Sequence, residues 1–169
     1  IVKGHAGFIN VYSEPGRGTR FNVYLPAVET EDALAAEIEK IESPAGDGEY
    51  VLVVDDEDLI RKVARIILEE SNYRVLTAAN GAEALSIYKE RQTEIAAVVT
   101  DMMMPVMDGT ALIRALLEIN PRVAIVSASG LLETNEERQT RFPAVKAFLP
   151  KPYTAEKLLA VLAQVLDKK

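Results

Sequence analysis

Five side chains that could do chemistry lie at the end of short apolar runs or directly after them. They are Asp55, Asp56, Asp101, Ser127 and Lys151. An aspartate in such a place is usually a turn residue or a helix cap, and that interpretation suffices for any one of them alone. Five suitable residue types in five such places are harder to attribute to chance, so their joint chemistry has to be considered.

Three carboxylates brought to one place repel each other. Two unit charges about 4 Å apart cost about 4 kcal/mol at an effective dielectric constant of 20. The amine of Lys151 and a bound cation would offset that repulsion. Hard oxygen ligands with room for water molecules suit Mg²⁺, so the residue types predict a magnesium site.

The elements that would position these residues are predicted by hydrophobic periodicity. Apolar and β-forming runs predict strands at residues 50–54, 73–79, 95–100, 123–127 and 145–149. Apolar residues at helical spacing predict helices at residues 57–70, 81–91, 109–119 and 154–166. A further helix is expected in residues 131–142, short or irregular because that segment lacks an apolar stripe.

Strands that alternate with helices predict an α/β fold with a doubly wound, five-stranded parallel sheet covered on both faces. In such sheets the functional crevice lies at the carboxyl ends of the strands. The five residues named above would therefore converge on one edge of the sheet.

The motifs of this region resemble the receiver domain of bacterial response regulators, which has a flavodoxin-like fold. The resemblance covers residues 50–169 and is carried by the stretches VLVVDDEDLIRKVARIILEE, VVTDMMMPVMDG, VSASG and AFLPKPY.

The resemblance implies a phosphorylation site and a metal site. Asp101 would be the phosphoryl acceptor and Lys151 the essential lysine. Asp56 would bind Mg²⁺ directly, Asp55 would act through a water molecule, and the backbone carbonyl of Met103 would be a further ligand.

The same resemblance implies a conformational switch. Ser127 would be the switch hydroxyl and Phe148 the switch aromatic residue. Pro105 and Gly109 match the loop after the acceptor. The peptide bond between Lys151 and Pro152 would be cis.

The first residues, IVKGHAGFINVYSEPGRGTRFNVYLP, resemble the last part of a histidine kinase ATP-binding domain. They predict a β-hairpin with strands at residues 8–14 and 19–25. The glycine-rich ATP-lid motifs and the metal-binding Asn of that family are not in this stretch, so no ATP binding is expected, and His5 is interpreted as a structural residue. An isolated hairpin is marginal in water. We expect it to be disordered or to pair through its edges with another chain, which leaves a homodimer open.

We therefore divide the chain into a truncated ATPase-domain tail at residues 1–28, an acidic linker at 29–49 and a receiver domain at 50–169. The formal net charge of −7 argues against nucleic acid as a partner. No apolar run approaches the roughly 20 residues of a membrane span, so no membrane contact is expected of this segment. The absence of cysteine excludes thiolate metal sites and suits a cytoplasmic location, although the parent kinase could be membrane-anchored elsewhere.

These features predict the phosphoacceptor receiver of a hybrid histidine kinase, which takes a phosphoryl group from phosphohistidine in a phosphorelay. Its partner would be a histidine kinase or a histidine phosphotransfer protein. Its own catalysis would be limited to Mg²⁺-dependent phosphorylation and dephosphorylation of itself, while the parent chain would be a protein histidine kinase.

Two other functions would account for part of this pattern. A phosphatase of the haloacid dehalogenase type also uses an aspartate at a strand end, but it needs a second aspartate two residues later, where this chain has Met103. A receiver-like interaction module that never takes phosphate is hard to reconcile with the presence of all five chemically active residues.

Overall fold

The carboxy-terminal sheet forms because its central strands are short apolar runs that are buried on both faces. The computed structural model describes residues 2, 7–16, 18–26, 45–130 and 142–166. The chain divides into two units, Ile1–Ile41 and Glu42–Lys169, which are considered separately below.

The strands and helices are numbered in chain order. The strands are β1 Phe8–Glu14, β2 Gly18–Tyr24, β3 Tyr50–Val54, β4 Arg74–Ala78, β5 Ile95–Asp101, β6 Ala124–Ser129 and β7 Ala147–Pro150. The described helices are α1 Asp58–Glu70, α2 Gly81–Arg91, α3 Gly109–Ile119 and α4 Ala155–Val165. None of these helices is both long and apolar enough to cross a bilayer.

Strands β3 to β7 form one parallel sheet with the order β4-β3-β5-β6-β7. This confirms the predicted doubly wound, five-stranded sheet. The chain moves from β3 to β4 on one side and returns to β5 on the other side of β3. The strand order therefore reverses between β3 and β5, which is where ligands bind in folds of this kind.

Successive residues of a strand point to opposite faces of the sheet, and here they supply two cores. Val51 and Val53 belong to one core, with buried residues of α1 and α4. Leu52 and Val54 belong to the other core, with buried residues of α2 and α3. Helices thus cover both faces of the sheet, as predicted.

The last two strands show the largest differences from the predicted bounds. β6 continues to Ser129 rather than ending at Ser127, and β7 runs from Ala147 to Pro150 rather than over residues 145–149. The reason is pairing between distant segments, since Ser129 is the register partner of Pro150. The helix predicted in residues 131–142 lies outside the described residues, apart from Phe142.

The amino-terminal unit contains the predicted hairpin, with β1 and β2 paired in antiparallel register from Phe8↔Tyr24 to Glu14↔Gly18. β2 begins one residue earlier than predicted. Gly16 and Gly18 adopt φ values of 77° and 88° in and after the turn, which only glycine adopts readily. The predicted hairpin is thus confirmed, while the expectation that it is disordered or pairs through its edges with another chain stays a prediction. His5 lies outside the described residues.

Residues 45–49, assigned from sequence to the end of the linker, contact the turn after α1. The amide of Gly46 donates to the carbonyl of Ser71 at 2.7 Å, and the amide of Gly48 donates to Asn72 at 3.0 Å. The Asn72 side chain donates back to Gly46 at 2.7 Å. These bonds extend the ordered part of the larger unit in front of β3.

Gly109, at the start of α3, lets that helix approach the end of β5. A Cβ at this position would overlap the carbonyl oxygen of Asp101 and lie 2.8 Å from the Cα of Met102. The Gly109 amide donates to the Met102 carbonyl at 3.2 Å. The absence of a side chain at Gly109 is therefore required for the close packing of α3 against the end of β5.

We predict that Gly109→Ala lowers the free energy of unfolding by about 1–3 kcal/mol, because backbone must move to admit the methyl group. Urea unfolding measures this loss. Gly130→Ala is the control, because a Cβ at Gly130 meets no atom within 4 Å among the residues that the structure describes. Equal stability of the two variants would contradict the packing argument.

Candidate functional site

The three predicted carboxylates meet where the strand order reverses, between β3 and β5. Asp55 directly follows β3 and is buried, Asp56 is exposed, and Asp101 is the buried last residue of β5. One carboxylate oxygen from each lies within 4.8 Å of the others. The structure thus brings together the acidic residues that the sequence predicted to converge.

The ammonium group of Lys151, directly after β7, bridges two of these carboxylates. Its Nζ lies 2.6 Å from Oδ2 of Asp55 and 2.9 Å from Oδ2 of Asp101. The Lys151 backbone amide donates to the carbonyl of Ser129 at 2.9 Å. Burial lowers the pKa of the Lys151 ammonium, but its hydrogen bonds to Asp55 and Asp101 outweigh burial and raise that pKa above its usual value.

Backbone amides hold the remaining oxygens of the two buried carboxylates. Oδ1 of Asp101 accepts from the amide of Met102 at 2.6 Å and from the amide of Met103 at 3.4 Å. Oδ1 of Asp55 accepts from the amide of Glu57 at 2.9 Å. Both oxygens of Asp55 are therefore engaged, as are both oxygens of Asp101, so the water-mediated role of Asp55 and the direct role of Asp101 at a metal ion stay predictions.

Asp56 differs from its two neighbours. Its carboxylate forms no hydrogen bond or ion pair with any residue that the structure describes. Three carboxylates and one ammonium leave a net charge of −2 in the cluster. An open carboxylate beside uncompensated charge suits a hard divalent cation, so these residues fit the metal implied by the resemblance. The Met103 carbonyl as a further ligand stays a prediction.

The predicted switch residues lie on adjacent strands. Ser127 on β6 is the register partner of Phe148 on β7 and of Thr100 on β5, one residue before Asp101. Ser127 is buried and lies within β6, so its predicted position at the strand end is wrong. Both switch residues line a cavity of about 440 Å³.

Of the four methionines, Met104 is buried in a core and Met103 is exposed.

The peptide bond between Lys151 and Pro152 is cis, as the resemblance implies.

Sequence reasoning missed Arg61 on α1. Its Nη1 donates to the carbonyls of Asp55 at 2.6 Å and Asp56 at 3.0 Å. The available signal was an arginine in the first turns of the helix after the acidic pair. That signal does not distinguish a residue facing the loop from one facing solvent.

Residues 51–163 match the family model of the response regulator receiver domain. The chain belongs to this family.

Among similar proteins is the sensor kinase CckA of Brucella abortus, which is 37% identical over 99% of this chain. The match includes the region before the receiver domain. The chain spans 18% of the length of that relative.

Two solved structures show the same receiver fold, which confirms the predicted flavodoxin-like class. The receiver domain of the hybrid histidine kinase CckA is 32% identical, with a TM-score of 0.59 over 69% of this chain and 98% of that one. The CheX-CheY-BeF3-Mg complex from Borrelia burgdorferi contains a chain that is 28% identical, with a TM-score of 0.65 over 69% of this chain and 88% of that one.

The bridge made by Lys151 yields a prediction about stability. Without divalent cations, Lys151→Met should lower the free energy of unfolding by about 1–3 kcal/mol, because Asp55 and Asp101 lose their shared partner. Mg²⁺ should then raise the melting temperature more in the variant than in the unaltered chain, because the ammonium no longer repels the cation.

Thermal unfolding in a chelator and in Mg²⁺ measures both effects. Lys62→Met is the control, because Lys62 pairs at 2.6 Å with the exposed Asp58, and such surface pairs contribute about 0–1 kcal/mol. Equal Mg²⁺-dependent increments in all three proteins would contradict the account of the site.

Proposed function

We propose that this chain is the phosphoacceptor receiver of a hybrid histidine kinase and that Asp101 takes a phosphoryl group from phosphohistidine. The observation that carries this proposal is the contact of Lys151 with the buried Asp101 and Asp55 beside the open carboxylate of Asp56. A turn residue or a helix cap needs neither the partly buried ammonium nor the second and third carboxylates.

The proposed step is an attack by a carboxylate oxygen of Asp101 on phosphorus. An O–P bond forms at Asp101, the N–P bond to the donor imidazole breaks, and the imidazole keeps the electron pair and takes up a proton. Lys151 would stabilise negative charge on the transferring oxygens, because it already lies 2.9 Å from Asp101. Its retained positive charge would matter most as the phosphoryl group enters the cluster.

The metal ion would be Mg²⁺. Asp56, Asp101 and the carbonyl of Met103 would hold it directly, and Asp55 would act through water. When bound, Mg²⁺ would stabilise charge on the phosphoryl oxygens and orient the group for transfer. The Borrelia relative was solved with BeF3 and Mg, which supports the same pair of ligands for this chain.

Phosphorylation would be coupled to the pair Ser127 and Phe148. A phosphoryl group adds about −1.5 to −2 charges and can form one to three charge-assisted hydrogen bonds. At about 1.5–3 kcal/mol each, these bonds could approach the roughly 5.5 kcal/mol that inverts a 1:99 equilibrium. Because Ser127 and Phe148 are register partners beside the same cavity, movement of one would change the packing of the other.

The proposed partner surface is the exposed face of α1. Leu59, Val63 and Ile66 are 71%, 46% and 55% exposed, and their spacing places them on one side of the helix. α1 begins at Asp58, directly beyond the acidic pair. An apolar stripe so close to the acceptor suits an apolar helical surface that carries the phosphohistidine, in a histidine kinase or a histidine phosphotransfer protein.

We also propose that residues 1–28 are the end of a kinase ATP-binding domain, in a parent chain that acts in the cytoplasm, where ATP is available. Two observations support this. The similarity to the Brucella sensor kinase extends over 99% of the chain, and one face of the hairpin carries four exposed apolar side chains that a larger domain would cover. These are Ile9, Val11, Phe21 and Val23.

The coding sequence upstream of Ile1 tests this part of the proposal. It should encode the glycine-rich ATP-lid motifs and the metal-binding Asn of the kinase family. An upstream sequence without them would remove the kinase tail from the proposal and leave the receiver function unaffected.

Asp101→Asn should abolish phosphoryl incorporation from a small phosphodonor in Mg²⁺, as measured by intact mass. Asp108→Asn is the matched control in the same loop. Asp108 caps α3 by accepting from the Ala111 amide at 2.8 Å, and asparagine preserves such a cap. Labelling of the Asp101 variant would contradict Asp101 as the acceptor. No labelling of the unaltered chain would contradict the proposal and favour a module that is never phosphorylated.

Val63→Glu should reduce transfer from a phosphohistidine carrier at least about tenfold, because it buries a charge in the proposed interface, while labelling by a small donor persists. Arg65→Glu is the control, since it adds negative charge on another side of α1. If both variants accept phosphoryl groups equally fast from the carrier, the stripe is not the docking surface.

A further inference from the structure

The loop between β3 and α1 carries the acidic pair, and Arg61 is bound to it in an unusual way. Nη1 of Arg61 donates to the backbone carbonyls of Asp55 at 2.6 Å and Asp56 at 3.0 Å. Nη2 lies 3.2 Å from Oδ1 of Asp58. The Arg61 side chain is only 17% exposed, so its guanidinium faces the protein rather than the solvent.

This arrangement holds a part of the backbone that has few other contacts. The Asp55 amide donates to the carbonyl of Ala78 at 3.2 Å. For Asp56, the bond from Arg61 is the one hydrogen bond found within the described part of the chain. Glu57, at the start of α1, makes no capping hydrogen bond with its side chain. The guanidinium therefore holds the part of the loop that carries Asp56.

Arg61 binds the backbone carbonyls of Asp55 and Asp56 rather than their carboxylates, and this difference matters for a cation site. A guanidinium paired with the carboxylates of Asp55 or Asp56 would compete with a cation for the same oxygens. By binding the carbonyls, Arg61 restrains the loop and leaves the Asp56 carboxylate open. Nη1 donates to both carbonyls while Nη2 donates to Asp58, and a single ammonium on a shorter stem does not reproduce this pattern.

We propose that Arg61 is a positioning residue for the metal site. It restrains the main chain of Asp55 and Asp56 so that their carboxylates keep the geometry that favours Mg²⁺. This inference rests on the proposed function, because it assumes that the acidic cluster binds Mg²⁺. The competing explanation is an ordinary surface ion pair between Arg61 and Asp58, whose side chain is 62% exposed.

Two variants separate these explanations. Arg61→Lys keeps a positive charge near Asp58, but its stem is one bond shorter than the path to Nη1, the atom that donates to both carbonyls. Asp58→Asn removes the ion pair and leaves the carbonyl contacts in place. Mutation of a residue that hydrogen-bonds to metal ligands typically weakens metal binding 10–100-fold. In calorimetric titrations with Mg²⁺, Arg61→Lys should therefore bind about tenfold or more weakly, and Asp58→Asn should bind like the unaltered chain.

Hydrogen exchange of the metal-free proteins provides a readout that does not depend on phosphorylation. The Glu57 amide, which donates to Oδ1 of Asp55, should exchange faster in Arg61→Lys, while amides in the central strand β5 keep their protection. Faster exchange throughout β5 would indicate a merely structural role for Arg61 and would overturn the proposal.

The outcomes also distinguish this inference from the proposed function. If the unaltered chain binds no Mg²⁺, both fail. If it binds Mg²⁺ and Arg61→Lys binds equally well, only the role of Arg61 is refuted. Weakened binding in Asp58→Asn to the same extent as in Arg61→Lys would also overturn it in favour of the ion pair.

Discussion

The ammonium of Lys151 lies between two buried carboxylates from different strands, and the chemistry of the receiver depends on this contact. Without it, Asp55 and Asp101 would face each other as like charges in a region of low dielectric constant. Lys151 compensates part of that charge, and the open carboxylate of Asp56 adds to what remains. The cluster can thus exist in a folded protein and keep the negative charge on which the proposed binding of a divalent cation depends.

The fold supplies this geometry through its topology. Because the strand order reverses between β3 and β5, the loop after β3 and the end of β5 open into one crevice. β7, which ends directly before Lys151, pairs with β6 rather than with β5. The long side chain of Lys151 therefore extends past the end of β6 to reach Asp101 at the end of β5. Gly109 keeps the start of α3 close to Asp101, so Asp101 is restrained by backbone as well as by charge.

Much of this arrangement is predictable from the sequence, because apolar runs, helix spacing and polar residues after strands are local features. Strand ends and loop restraints depend on partners far along the chain. The extension of β6 to Ser129 requires β7, and the packing of Gly46 requires the turn after α1. The contacts of Arg61 are equally hard to predict, because its position in the helix alone does not reveal that it binds the carbonyls of the preceding loop.

The most direct test of the account is to locate the phosphoryl group itself. The chain would be labelled with a small phosphodonor in Mg²⁺ and reduced with borohydride, which converts an aspartyl phosphate to homoserine. Peptide mass spectrometry would then identify the altered residue. The account predicts homoserine at position 101 alone. Homoserine at Asp55, Asp56 or Asp108 instead, or none at any aspartate, would contradict it.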